Sequence, residues 1–177
     1  MSKLFGTGRI TPALTALAVA LTLTGTAVGA VASSQNGTQT SAQFFTGEST
    51  PWTINTVATW SNVPTAVTSV TVPAGTTRFV DARFTAESIC VGDPAGWCSV
   101  RIVAVNSAGT TVELNPVTST DYRFDTPGGA EEAHSLERFS PSLGPGTYTV
   151  RAQALRMAGI SQFTLDDLSF AVGLVNP

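Results

Sequence analysis

The sequence predicts an antiparallel β-sandwich of jelly-roll type with about ten short strands. Three observations point there. From residue 44 onward, apolar and polar residues alternate in short runs, the period-2 signature of half-buried strands. Turn sequences rich in Gly and Pro separate those runs, among them Pro73-Ala74-Gly75, Thr126-Pro127-Gly128-Gly129 and Leu143-Gly144-Pro145-Gly146. Only residues 130–139 (AEEAHSLERF) have a helix-forming composition. That piece is short, lacks a clear apolar face and sits among strands, so 133–139 is read as a strand.

Residues 1–32 stand apart from the fold. Lys3 and Arg9 precede an uncharged apolar run over 13–23, and Ala30-Val31-Ala32 fits a small-x-small cleavage site. This is the pattern of a secretory signal peptide cut after Ala32. An uncleaved anchor is the competing reading, but spanning takes about 20 strongly apolar residues, and Thr15, Thr22, Thr24 and Thr26 dilute the run. Residues 33–43 (SSQNGTQTSAQ) are polar and aperiodic, a flexible lead-in, with a glycosylation triplet at Asn36-Gly37-Thr38. Residues 44–177 form a single domain on this reading. After the cut, seven arginines face twelve acids, a formal charge of −5 with no lysine. Nucleic acid and anionic lipid are poor partners for such a surface. The expected location is secreted, extracellular or at the cell surface, with no membrane association after cleavage.

The strands follow in order. Residues 57–63 and 67–72 are the first candidates, separated by Pro64. In 78–87, Val80, Ala82, Phe84 and Ala86 share the inner face, while Asp81, Arg83, Thr85 and Glu87 share the outer one. Further on, Val100, Ile102 and Ala104 face in, and Ser99 and Arg101 face out. Short strands are expected at 111–114 and 122–125. In 147–155, Tyr148, Val150, Ala152 and Ala154 point inward. The last run, 162–172, puts Phe163 and Leu165 on one face, then shifts phase so that Leu168, Phe170 and Val172 share a face. A bulge near Asp166-Asp167 accounts for the slip.

Cys90 and Cys98 are the only cysteines. Export favours a disulfide between them, and their spacing suggests a β-hairpin stapled at its tip. With Cys90 opposite Cys98, Glu87 faces Arg101 as an outer ion pair. Ala86 then faces Ile102 and Phe84 faces Ala104 on the inner side. Two cysteines and one histidine do not make up the usual four ligands of a structural zinc site.

Catalytic chemistry is sparsely signposted. His134 is the only histidine and lies among Glu131, Glu132, Ser135 and Glu137. Adjacent residues on a strand point to opposite faces, so His134 and Ser135 do not meet, and no Gly-x-Ser-x-Gly elbow presents a serine. The scattered carboxylates single out no hydrolytic pair. Aromatic rings that could stack on a sugar are Trp52, Trp60 and Trp97. Trp60 lies in a strand-like run and is assigned to the core, and Trp52 follows Pro51 near the lead-in. Trp97, beside Cys98 at the hairpin tip, is the preferred ligand-binding residue, since loops on rigid sheets carry binding function.

The run Phe163-Thr164-Leu165-Asp166-Asp167-Leu168-Ser169-Phe170 is similar to the closing strand of carbohydrate-binding jelly-roll modules. Gly146-Thr147-Tyr148-Thr149-Val150-Arg151 resembles their penultimate strand. The resemblance implies that Asp167, with Asp166 beside it, gives oxygen ligands to a structural calcium. The bland alternative is a bulge whose carboxylates meet backbone amides or an arginine. No other cofactor is expected. The wider pattern from VPAGTTRFVDARFTAESICVGDPAGWCSV to FTLDDLSFAV resembles small secreted bacterial β-sandwich proteins of no established activity. The leading expectation is a non-catalytic extracellular binding module, with glycan or another cell-surface component as its partner. A structural or assembly subunit of a surface structure is the alternative, and a hydrolase ranks third.

Overall fold

The computed structural model describes residues 38–39, 44–118 and 122–177. The expected signal peptide over 1–32, the glycosylation triplet's Asn36 and most of the expected lead-in lie outside the described residues. Ten strands lie within them: β1 (Thr38–Gln39), β2 (Phe44–Glu48), β3 (Trp52–Thr53), β4 (Ser61–Val72), β5 (Phe79–Gly92), β6 (Cys98–Asn106), β7 (Thr111–Glu113), β8 (Glu132–Phe139), β9 (Gly146–Arg156) and β10 (Ile160–Asn176).

Two antiparallel sheets result. One runs β2-β10-β5-β8, with β1 and β3 pairing along the same edge of β10 as β2; the other runs β4-β9-β6-β7. The chain passes from β2 in the first sheet to β4 in the second and back to β5, then on to β6 and β7, β8, β9 and β10 in the same alternation. This is jelly-roll connectivity, and it places sequence neighbours in opposite layers. Thr38 and Gln39, within the stretch read as a flexible lead-in, pair with Asn176 and Val175.

The alternating apolar positions supply the core, as period 2 requires. Val80, Ala82, Phe84 and Ala86 of β5 are at most 1% exposed, and Val100, Ile102 and Ala104 of β6 are fully buried. Phe84, Phe163 and Phe170 are the largest side chains wholly removed from water. β8 spans Glu132–Phe139, so the ambiguous 130–139 segment is a strand. The phase slip in β10 is a real irregularity: register with β5 shifts between Asp166 and Ser169, and Asp167 adopts φ 42°. Phe163, Leu165, Leu168, Phe170 and Val172 are all buried as a result.

The predicted hairpin does not exist. β5 hydrogen-bonds to β10 and β8, and β6 to β9 and β7, so the two strands lie in different sheets. Glu87 is opposite Asp166 and Ala133, while Arg101 is opposite Gln153. The expected Glu87–Arg101 ion pair is therefore replaced by Arg101–Glu113, with Nη1 to Oε2 at 3.1 Å. Ala86–Ile102 and Phe84–Ala104 are likewise not ladder partners. The Cys90–Cys98 disulfide does form, with Cα atoms 6.1 Å apart, but it joins the two layers at a corner of the sandwich. Five residues separate β5 from β6, a length that serves a turn within one sheet or a step between two.

Smaller departures have local causes. Of the two expected strands, 57–63 and 67–72, residues 57–60 lie outside β4, with Val57 in an isolated bridge to Arg156. Residues 61–63 and 67–72 belong to β4, one edge strand whose register with β9 breaks between Asn62 and Val67. Pro64 has no N–H to give there, and an edge strand with a bulge tolerates that. Residues 122–125 form a single bridge instead of a strand. Cys98 N–H donates to Asp125 O at 2.9 Å and Asp125 N–H returns to Cys98 O at 3.1 Å. Ser99, expected outward, is only 2% exposed at this end of β6.

Candidate functional site

A groove opens where the edge of one sheet meets the edge of the other, bordered by the β4 irregularity at 62–67 and the β10 irregularity at 166–169. On one side β2 ends at Glu48, the turn 49–51 follows, and β3 begins with Trp52. Across from them stand Pro64 and Thr65 of the β4 bulge, and Asp167 to Ser169 of the β10 bulge contribute the third wall. The groove consists of two adjoining depressions sharing Glu48 and Leu168. The apolar one, about 180 Å³, is lined by Pro51, Trp52, Pro64 and Leu168, with Thr50 and Thr65 at its margin. The polar one, about 420 Å³, is lined by Gly47, Glu48, Ser49, Asp167, Leu168 and Ser169. The polar depression is shallow and open to solvent, and the apolar one is the more enclosed of the two.

Local chemistry holds these walls in place. Trp52 is opposite Leu165 in the ladder and packs against the core. The Thr53 and Thr164 hydroxyls meet at 2.8 Å beside it. Thr46 donates to the Thr65 carbonyl at 3.1 Å, tying β2 to the β4 bulge across the two layers. Thr50 N–H donates to Glu48 Oε1 at 2.9 Å. Hydrogen bonds from the Thr50 side chain and main chain hold the exposed Glu48 carboxyl below its ordinary range, so it stays ionised. At the β10 bulge, Asp167 N–H donates to Asp166 Oδ1 at 2.8 Å. Left-handed backbone at Asp167 is a conformation that aspartate tolerates better than most residues, and it turns the chain so that Asp167 lines the groove.

The calcium implied by Asp166 and Asp167 would be held at the β10 bulge, where the two residues are adjacent. Asp166 caps its neighbour's N–H, and among the described residues no group of three His, Cys, Asp or Glu side chains gathers to hold a metal. Trp97 is half-buried, with the Arg123 guanidinium 5.1 Å from its ring centroid, and it lines neither depression. Trp60 is not in the core. It is half-buried on the outer side of β6, with the Arg101 guanidinium 4.4 Å from its ring centroid. The arginine's Nε also donates to Gln153 Oε1 at 2.8 Å. Trp52 is the tryptophan that lines this groove. The sequence carries a faint signal for it, since Glu48-Ser49-Thr50-Pro51-Trp52 sets an aromatic ring after a short polar turn between strands.

A second cluster surrounds His134. Ser88 Oγ donates to the buried Asp125 at 2.7 Å, and Thr126 N–H donates to the other carboxylate oxygen at 2.6 Å. His134 Nε2 lies 3.8 Å from Asp125 and 3.8 Å from Glu132, and its ring packs on Phe124 at 5.3 Å. Asp125, not His134, holds the serine hydroxyl here. Ser135 is on the opposite face, in reach of Thr85 at 3.4 Å.

No protein-family model matches the chain, and no curated protein matches it. Among solved structures, one titled "Structure of infectious bursal disease virus Gx strain" is similar with a TM-score of 0.39 and 11% identity. The match covers 75% of this chain and 31% of that one, so the chain spans about a third of its neighbour's length. The protein is an antiparallel jelly-roll β-sandwich with an internal disulfide that is compatible with an extracellular location. No helix among the described residues is long and apolar enough to cross a membrane.

Proposed function

We propose that the protein is an exported, non-catalytic binding module that holds a glycan in the Trp52 groove. The observation that carries this reading is the composition of the groove. An indole ring and two prolines make an apolar floor, and hydroxyl and carboxyl side chains line its margin and the adjoining depression. A pyranose has the matching character, with an apolar ring face for an aromatic and a rim of hydroxyls for polar side chains. The walls belong to hydrogen-bonded strands and bulges, so little ordering is lost on binding. Export is supported by the N-terminal charge and apolar pattern, and by a disulfide of a kind that persists outside the cytosol.

Affinity electrophoresis through gels containing a panel of soluble polysaccharides tests the reading. Retardation by at least one of them, lost in Trp52→Ala and kept in Trp97→Ala, is the expected result. No retardation by any polysaccharide, or retardation that Trp52→Ala leaves intact, overturns it.

A further inference from the structure

The groove lining contains two carboxylates, Glu48 and Asp167, and no lysine, arginine or histidine. Neither carboxylate forms an ion pair among the described residues, where the pairs are Arg101 with Glu113 and His134 with Asp125 and Glu132. Thr50 stabilises Glu48 in its ionised form without neutralising it. Two carboxylates without an ion-pair partner thus line the groove, Glu48 in the depression that holds Trp52 and Asp167 in the adjoining one that Glu48 also lines.

The other two tryptophans show what this protein does with an indole face. Arg101 lies over Trp60 at 4.4 Å and Arg123 over Trp97 at 5.1 Å, so each carries its own cation. Among the described residues no arginine covers Trp52 in this way, and the mature chain has no lysine to do so. A cation is favoured over an indole face, and nearby carboxylates add to that preference. Trp52 shares its depression with Glu48 and carries no such cation among the described residues, so a cationic ligand would meet the indole and a carboxylate together.

We propose that the glycan taken by the Trp52 groove is a cationic amino sugar polymer, its ammonium groups held by Glu48 and Asp167 beside the Trp52 ring. The proposal rests on the glycan reading above and narrows it. A neutral polymer would leave both carboxylates without a partner. A uronic or sulfated polymer would bring like charge against them, which costs affinity at short range.

The test compares the purified protein on two polymers of identical backbone: a β-linked glucosamine polymer, and the same polymer fully N-acetylated. Retention is measured in low salt at mildly acidic pH, where the free amines are protonated. The amine polymer is expected to bind roughly tenfold more tightly or better, with Trp52→Ala losing roughly tenfold. Glu48→Gln and Asp167→Asn should each lose roughly two- to fivefold. Glu131→Gln, an equal change of charge away from the groove, should lose nothing. Equal binding of the acetylated polymer, or indifference to both Glu48→Gln and Asp167→Asn, overturns the amino sugar proposal and leaves the glycan reading standing. Amine-polymer binding that survives Trp52→Ala, or falls equally in Glu131→Gln, is adsorption to net negative charge and overturns it as well. Failure to bind either polymer or any other polysaccharide removes both readings together.

Discussion

Cys90 in the larger sheet is bonded to Cys98 in the smaller one, with 6.1 Å between their Cα atoms. Both are almost fully buried, at 1% and 0% exposure. The bond fixes the corner where the chain leaves one layer and enters the other, while each strand keeps ladder partners on both sides. Removing it by Cys90→Ala/Cys98→Ala should cost about 2–3 kcal/mol, the chain-entropy value for so short a loop. The sandwich should remain folded, because no strand pairing depends on the bond. Urea denaturation of oxidised and double-mutant protein measures the cost; loss of cooperative unfolding in the mutant would contradict it.

Arg101 and Glu113 form the ion pair on the outer face of the smaller sheet, with side chains 23% and 17% exposed. A double-mutant cycle on this pair should give a favourable coupling of about 0.5–1 kcal/mol, the upper part of the range for partly exposed pairs. The same cycle on Arg101 and Glu87 should give no coupling, because those residues are in different sheets. A coupling for Arg101–Glu87 as large as that for Arg101–Glu113 would restore the hairpin and sink the sandwich order described here.

Gly92 ends β5 at φ +150°, and a Cβ there would lie 2.5 Å from the Gly159 carbonyl oxygen and 2.6 Å from Ile160 Cα. Both obstacles are backbone, so relief means moving β10 off β5. Gly92→Ala should therefore lower stability by about 1–3 kcal/mol, the usual cost of overpacking with backbone shifts. Gly75→Ala makes a useful comparison, since its φ is +73° but a Cβ there meets nothing within 4 Å. Urea midpoints should rank Gly92→Ala below Gly75→Ala, and the reverse order would refute the close approach.

Asp81 sits on the outer face of β5 in a half-buried position. Burial raises its pKa, the nearby Glu137 raises it further, and Arg83 opposes the shift. A carboxyl with a raised folded-state pKa binds its proton more tightly when folded. Its stabilising contribution is present at low pH and is lost as pH rises through the folded-state value. The ionised form is thus a liability at neutral pH, and Asp81→Asn should melt at a higher temperature than wild type there. The gap should narrow as pH falls into the ordinary aspartate range and below. Melting curves across that window check the sign; an Asn variant less stable at neutral pH would show that the carboxylate is held by a favourable partner.

The strand faces and the β10 bulge were legible in the linear chain because both are local. Alternation tells which side of a strand a residue presents, and the step from Phe163-Leu165 to Leu168-Phe170-Val172 records the slip directly. The disulfide was legible too, as the pairing of the only two cysteines. Which sheet each strand joins was not. Inward-facing residues on β5 and β6 satisfy a one-sheet hairpin and a two-layer corner equally, and a five-residue connector fits both. Long-range pairing resolved it: β10 and β8 take both edges of β5, leaving none for β6. The groove was hidden for the same reason, since residues 47–52, 64–65 and 167–169 meet only after the two sheets close. Trp97 looked accessible because it sits in a loop, yet Arg123, distant in sequence, covers its ring. Local periodicity encodes faces, whereas edges, and the sites built where edges meet, depend on partners the local pattern does not name.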